Sequence, residues 1–370
     1  MSQGSKLWKQ AKAGLRLAKA HAFKSKVPML VSYAVTKQCN LSCKYCTQNL
    51  YDFPGEELNT AQSKKMIGEM AQAGTYLLML SGGEPLVRED IVELAAHAAG
   101  CGLTVAMSSN GSLLPQRQEI LRHLDYVTIS LDGLRDVHDS ARGKGTFDLA
   151  LAGIQAAKAA GAQVITTTTL GLHNIDRLDE FFRLIVELGV VPRFQVETSL
   201  GAMEEKLWDP KVIGERKRQR PGHARIIEGL VQVKAFGERQ GLNLLSAQAL
   251  EYVMNWPDYS QVTLKKKDPN LADIPCYAGR FHMYVTWTGL LYPCCGMLLA
   301  TPGVSAVEHG FQEAYRRMRH PACAGCLLIP VIELNRMLSL RPSALAQAVK
   351  LGLKRRPGKT AGAAKIQGAG

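Results

Sequence analysis

The feature that most constrains this chain is a repeated strand–loop–helix alternation between residues 29 and 197. Apolar segments of strand character fall at 29–35, 76–80, 104–107, 126–131, 163–170 and 193–197. Helical stretches lie between them, at 62–73, 91–99, 116–123, 147–160 and 176–188. Parallel strands need long crossovers, so this pattern predicts an α/β fold with a parallel sheet and helices outside. Six such units make an open, partial (β/α)6 barrel of the TIM type. In full barrels functional residues gather at the C-terminal ends of strands, and here the unusual residues follow the strands.

Directly after the first strand comes Cys39-Asn-Leu-Ser-Cys43-Lys-Tyr45-Cys46. Three thiolates on one tight loop can hold three irons of a 4Fe–4S cubane and leave the fourth open to an amino and carboxylate chelate. A structural zinc site would want a fourth ligand nearby. Ser81-Gly82-Gly83-Glu84-Pro85 follows the second strand, where glycines let the backbone approach a ligand. Ser108-Ser109-Asn110-Gly111 follows the third strand and Ser130-Leu131-Asp132-Gly133 the fourth. The alternative for these polar rims is turn chemistry or helix capping. Gln195 and Glu197, at the end of the sixth strand, are candidates for a substrate pocket.

Cys-x3-Cys-x2-Cys with an aromatic before the last cysteine resembles the radical S-adenosylmethionine (SAM) superfamily. The resemblance implies reductive SAM cleavage to a 5′-deoxyadenosyl radical and hydrogen abstraction from a substrate carbon, with a flavodoxin- or ferredoxin-type electron donor. It also implies that Tyr45, Gly82, Gly83, Glu84, Ser108, Asn110, Ser130 and Asp132 surround SAM. The Gly-Gly-Glu-Pro stretch would meet its ammonium, with Asn110 and Ser130 near its ribose and carboxylate. His138 to Phe147 resembles the stretch in which an arginine, here Arg142, contacts the SAM carboxylate.

A second group comprises Cys276, then Gly289 after twelve residues, Cys294 after four more, and Cys323-Ala-Gly-Cys326. Four thiolates can enclose a 4Fe–4S cluster completely; four in a tetrahedron also suit zinc. The spacing resembles the SPASM/Twitch modules of radical SAM enzymes, which implies an auxiliary cluster for electron transfer. A hairpin pattern flanks Trp287-Thr288-Gly289. Neighbours in a strand face opposite ways, so spacing favours Cys294 over Cys295 as the ligand. Cys101, alone after a helix, is expected to be an inert buried thiol.

The net charge of +13 resides at the ends. Residues 1–26 and 341–370 each carry seven Lys/Arg and no acid, leaving 31 basic against 32 acidic residues elsewhere. A near-neutral body argues against nucleic acid as a partner. On a helical wheel Leu7, Trp8, Ala11, Leu15, Ala18 and Ala22 form an apolar face, with lysines opposite. Such a helix can meet an anionic membrane surface or pack on the body. No apolar run is long enough to span a membrane, and no secretory signal is read. The expectation is a cytoplasmic protein, peripheral at the inner face of the membrane.

The expected organisation is an N-terminal basic helix (1–27), a barrel (28–200), a helical connecting region (201–270), a small hairpin-and-helix auxiliary domain (271–330) and a basic C-terminal helix with a flexible tail (331–370). The resemblance is nearly silent on substrate. A small or lipophilic metabolite (lipid, isoprenoid or cofactor) is the first expectation. A peptide or protein substrate is the second, and a non-catalytic iron–sulfur carrier the third.

Overall fold

A computed structural model describes residues 3–47, 51–197, 222–242, 244–259, 261–298, 301–319 and 323–340. The chain opens with α1 (Gln3–Ala22). It continues through β1 (Leu30–Thr36), α2 (Thr60–Gln72), β2 (Leu77–Gly82), α3 (Ile91–Gly100), β3 (Thr104–Ser109), β4 (Tyr126–Ser130), α4 (Arg135–Arg142), α5 (Thr146–Ala159), β5 (Val164–Leu170), α6 (Leu178–Leu188) and β6 (Val191–Val196). Then follow α7 (His223–Arg239), α8 (Ala247–Met254), β7 (Thr263–Leu264), β8 (His282–Val285), β9 (Leu290–Tyr292), β10 (Val304–Ser305), α9 (Ala306–His309), α10 (Phe311–Arg317), β11 (Gly325–Cys326) and α11 (Ile329–Leu338).

All six expected barrel strands form and lie parallel in the order β1 to β6. The second part of the chain joins the same sheet: β8 pairs parallel with β1, and β9 and β10 continue it antiparallel. The nine strands run β10-β9-β8-β1-β2-β3-β4-β5-β6. A pair of short strands, β7 and β11, forms a separate sheet.

The two faces of the parallel strands differ in chemistry. Val31, Tyr33, Leu78, Leu80, Val105, Met107, Val127 and Ile129 point to the helices and are fully buried there. The register puts Ser81, Ser108, Ser130, Thr167 and Gln195 on the opposite, concave face. Large apolar residues thus fill the helix layer, while small polar ones leave space and hydrogen-bonding capacity towards the strands' C-terminal ends.

Two elements depart from the sequence expectation. The stretch after Pro115 makes only a 3-10 helix, Gln118–His123. The helix α4 was not expected, because it carries just two apolar core positions, Val137 and Ala141, too few to show a period. Cys101 is exposed rather than buried, with Sγ 3.6 Å from His97 Nε2. The C-terminal segment 341–370 lies outside the described residues. Among those described, no helix is long and apolar enough to cross a membrane.

The N-terminal helix lies across the floor of the sheet. Arg16 donates to the carbonyl of Gly74, ahead of β2, at 2.7 Å, and Lys9 to that of Leu103, ahead of β3, at 3.2 Å. Leu17 and Ala20 pack with Met29, Phe281 and Leu338.

A tight helix-to-loop approach is at Gly153 of α5, where a Cβ would lie 2.3 Å from the carbonyl oxygen of Gly111. Gly153→Ala must push the helix off the loop after β3. It is expected to cost about 1–3 kcal/mol, read from the urea-unfolding midpoint; an unchanged midpoint would show that the contact is slack.

Candidate active site

The first cysteine loop leaves β1 at the C-terminal end of the sheet, and its neighbours clamp it. Gly83 N donates to Thr36 O at 3.0 Å and Glu84 N to Gln38 O at 2.8 Å. A Cβ at Gly82, whose φ is +134°, would lie 2.4 Å from Thr36 O, and one at Gly83 2.1 Å from Gln38 O. The two glycines are therefore required by the close approach of two protein backbones, not only by space for a ligand. Glu57 adds a further hold: its carboxylate accepts from Lys37 N at 2.7 Å and Thr36 Oγ1 at 3.0 Å. Arg88, paired with Asp90, donates to Val35 O at 2.7 Å and Leu58 O at 2.8 Å.

Glu84 faces inward. Its fully buried carboxylate accepts from Ser109 Oγ at 2.8 Å, Asn110 N at 2.7 Å and Leu86 N at 3.2 Å. Burial pushes its carboxyl up to about 7 against these three donors. The side chain braces the loops after β2 and β3. Asn110 Nδ2 donates to Asn40 Oδ1 at 2.9 Å, tying the cysteine loop to the third strand's end.

Asp132 is the hub of the site. Its buried carboxylate accepts from Arg142 Nε at 2.6 Å, from Thr169 N at 2.9 Å and from the Tyr45 hydroxyl. Its amide donates to His138 Nδ1 at 3.2 Å, and its carbonyl accepts from Asn174 Nδ2 at 2.7 Å. Burial raises the Asp132 carboxyl, but the guanidinium and the other donors outweigh it and hold the group below the usual carboxylate range. His138 is buried and pushed down to about 4 by desolvation, so it is neutral and accepts through Nδ1. Arg142 Nη1 reaches 3.9 Å from Cys43 Sγ, and the guanidinium lies 5.3 Å from the centre of the Tyr45 ring. The arginine is thus bonded to Asp132 and turned towards a thiol.

Cys39, Cys43 and Cys46 are all half-buried on this loop. Ser108 and Ser130 are half-buried on the concave face beside it. Gln195 Nε2 donates to Thr169 Oγ1 at 3.1 Å. His173 stands out although the sequence reading passed over it. Its ring stacks on Tyr45 with centroids 5.8 Å apart, and its buried Nε2 has no hydrogen-bond partner. A Cβ on Gly171 would lie 2.6 Å from Glu197 Oε2 and 2.8 Å from His173 Nδ1. The bare glycine lets a carboxylate and an imidazole share the rim between β5 and β6.

The second group of cysteines also comes together. Buried Cys294, Ala278 and Met297 form a small cluster against which Cys276 and Cys323 pack. Cys326, on β11, receives the amide of Leu328 on its Sγ at 3.3 Å. Gly289, with φ of +79°, makes the hairpin turn between β8 and β9. Cys294 is buried, and Cys295, which opens a 3-10 turn running to Met297, is exposed. The Cys295 thiol sits near the Tyr51 phenol. Tyr51 stacks on Phe53, which packs on Trp287 and Tyr292. An aromatic wall thus connects the chain after Cys46 to the hairpin before Cys294.

Residues 33–185, from β1 into α6, match the radical SAM superfamily. That stretch is a radical SAM domain. It is similar along most of its length to two radical SAM relatives. The AdoMet-dependent heme synthase of Methanosarcina barkeri is 28% identical over 336 residues, covering 81% of this chain and 91% of that protein. The mycofactocin maturase MftC of Mycolicibacterium smegmatis is 29% identical over 321 residues, covering 81% of this chain and 75% of the relative. Several other relatives match over less than half of their own length. Streptococcus suis SuiB bound to its precursor peptide SuiA shares the fold, with a TM-score of 0.60 at 15% identity over 83% of this chain and 72% of that one.

Radical SAM enzymes of the SPASM type use SAM, a 4Fe–4S cluster and auxiliary clusters, and the residues present fit these groups. Among the described residues no three Cys, His, Asp or Glu side chains converge as around a single ion. The guanidinium beside Cys43 suits a thiolate-bound cluster, and the orphaned Nε2 of His173 awaits a polar partner. His173, Glu57 and Arg88 gave little signal in sequence: each is a single polar residue beside a strand end.

Asp132→Asn leaves the Arg142 charge buried without its partner, at an expected cost of about 3–5 kcal/mol at neutral pH. The native carboxyl titrates below its unfolded value, so the stabilisation is present above the unfolded pKa and is lost as pH falls through the folded one. The gap between wild type and variant in urea unfolding should therefore shrink in acid. A gap independent of pH would contradict the ion-pair account.

Proposed function

We propose that this radical SAM enzyme holds one 4Fe–4S cluster on Cys39, Cys43 and Cys46 and an auxiliary cluster on Cys276, Cys294, Cys323 and Cys326, and oxidises or rearranges a peptide substrate. The observation that carries the first part is the set of three half-buried cysteines on one braced loop at the mouth of the sheet, with Arg142 Nη1 3.9 Å from Cys43 Sγ. When bound, the cluster and SAM supply a 5′-deoxyadenosyl radical that takes a hydrogen atom from a substrate carbon.

The chain's own residues bind and position. Arg142, fixed by Asp132, offsets negative charge on the thiolate side of the loop. Ser108, Asn110 and Ser130 present hydrogen-bonding groups on the concave face, where the ribose and carboxylate of SAM would lie. Tyr45 and the loop carrying Gly82 and Gly83 hold the cysteine loop in shape around them. The rim offers Gln195, Glu197 and His173 to the substrate. Burial lowers the pKa of the half-buried His173 ring. A flavodoxin- or ferredoxin-type donor supplies the electron.

Support for a peptide comes from two directions. The concave face and rim are polar, which suits amide and side-chain groups better than the lipophilic metabolite expected from sequence. A maturase is among the relatives that match along most of the chain, and the SuiB fold match is to a peptide complex. A tetrapyrrole is the second reading, favoured by the heme synthase that matches over 91% of its length.

The test is anaerobic reconstitution followed by SAM and dithionite. Wild type is expected to hold about eight irons and the Cys39→Ala/Cys43→Ala/Cys46→Ala variant about four, with 5′-deoxyadenosine formed by wild type alone. A fully loaded wild type that forms none would refute the catalytic reading. Peptide-dependent 5′-deoxyadenosine with a mass change in the peptide supports the first substrate reading; stimulation by a tetrapyrrole supports the second.

A further inference from the structure

The helix α1 docks on the body by the side that was not expected to be apolar. Leu17 and Ala20 are its buried side chains, supported by hydrogen bonds from Arg16, Lys9 and His21 to the carbonyls of Gly74, Leu103 and Leu338. The stripe Trp8, Ala11, Leu15, Ala18 and Ala22, read from sequence as the apolar face, points to solvent. Phe23 follows it in the turn. Phe23, Trp8 and Leu15 are the three most exposed large apolar side chains among the described residues, at 79%, 65% and 60%. Exposed Lys12 and Lys19 border the stripe, with the Lys12 ammonium 5.0 Å from the centre of the Trp8 ring.

We propose that this outward stripe docks the protein on an anionic phospholipid surface. The chemistry of the stripe matches an interfacial helix: tryptophan and large apolar groups to enter the headgroup boundary, lysines at the margins to meet phosphates, and no acid in the first 26 residues. Between the large side chains lie exposed alanines, Ala11, Ala18 and Ala22. A second copy of this chain is disfavoured, because a two-fold contact would set Lys12 and Lys19 against their own equivalents. Leu338 packs beneath α1.

The placement also orients the enzyme. Arg16 and Lys9 hold α1 under the N-terminal ends of β2 and β3, while the cysteine loop and the rim lie at the C-terminal ends. The proposed membrane face is the floor of the sheet, and the mouth opens away from it. Docking thus localises the enzyme without feeding lipid to the site, and the inference does not rest on the substrate reading.

The test is co-sedimentation of the full reconstituted chain with vesicles of phosphatidylcholine alone or mixed with phosphatidylglycerol. Wild type is expected to sediment only with the anionic vesicles and to be released by salt. Trp8→Ala/Leu15→Ala/Phe23→Ala and Lys12→Glu/Lys19→Glu should each lower vesicle affinity on the order of ten-fold or more. Both variants should keep the wild-type melting temperature and the wild-type yield of 5′-deoxyadenosine. Sedimentation that ignores phosphatidylglycerol, or variants that bind as wild type does, would overturn the proposal. So would a dimer in light scattering that the triple alanine variant disperses in the absence of vesicle binding, since it assigns the stripe to a second copy.

Discussion

The arrangement of the site depends on one buried ion pair. Asp132 and Arg142 meet at 2.6 Å where almost no water reaches, and each is held by further hydrogen bonds. A pair like this is costly to bury and costlier to break. Its value here is positional. Through Asp132 the ends of β4 and β5 are joined, Tyr45 is pinned, and α4 is drawn over the cysteine loop, where Lys44 N meets Ala141 O at 2.9 Å. A loop of eight residues with three cysteines has little tendency to order itself. The ion pair, the inward carboxylate of Glu84 and the bare glycines supply that order from neighbouring strands.

The sheet carries the same logic across the chain. By pairing with β1, β8 fixes the auxiliary hairpin to the very strand that launches the first cysteine loop. The wall from Tyr51 through Phe53 to Trp287 and Tyr292 fills the space between the two cysteine groups. The opposite end of the sheet has a different task, since α1 closes the floor and turns its apolar stripe outward.

Much of this was legible in sequence, for physical reasons. The strands bury their helix-facing sides fully, and their apolar residues show it; the cysteines show themselves by type and spacing. What stayed hidden were residues whose role exists only after folding. Glu84 reads as a ligand contact, and only the position of Ser109 and Asn110 turns it into a brace. His173 is one polar residue in a loop until Tyr45 lies against it. The wheel of α1 shows the stripe of Trp8, Leu15 and the alanines but passes over Leu17 and Ala20, the side chains that meet the body. Leu17 and Ala20 dock the helix together with the bonds from Arg16 and Lys9 to the carbonyls of Gly74 and Leu103.

The most direct test of the account is electron paramagnetic resonance of the dithionite-reduced, reconstituted protein with and without SAM. Two cluster signals are expected, of which one changes on addition of SAM and vanishes in the variant lacking Cys39, Cys43 and Cys46, while the other is indifferent to both. A single signal untouched by SAM would contradict the assignment of an open-site cluster to the first cysteine loop.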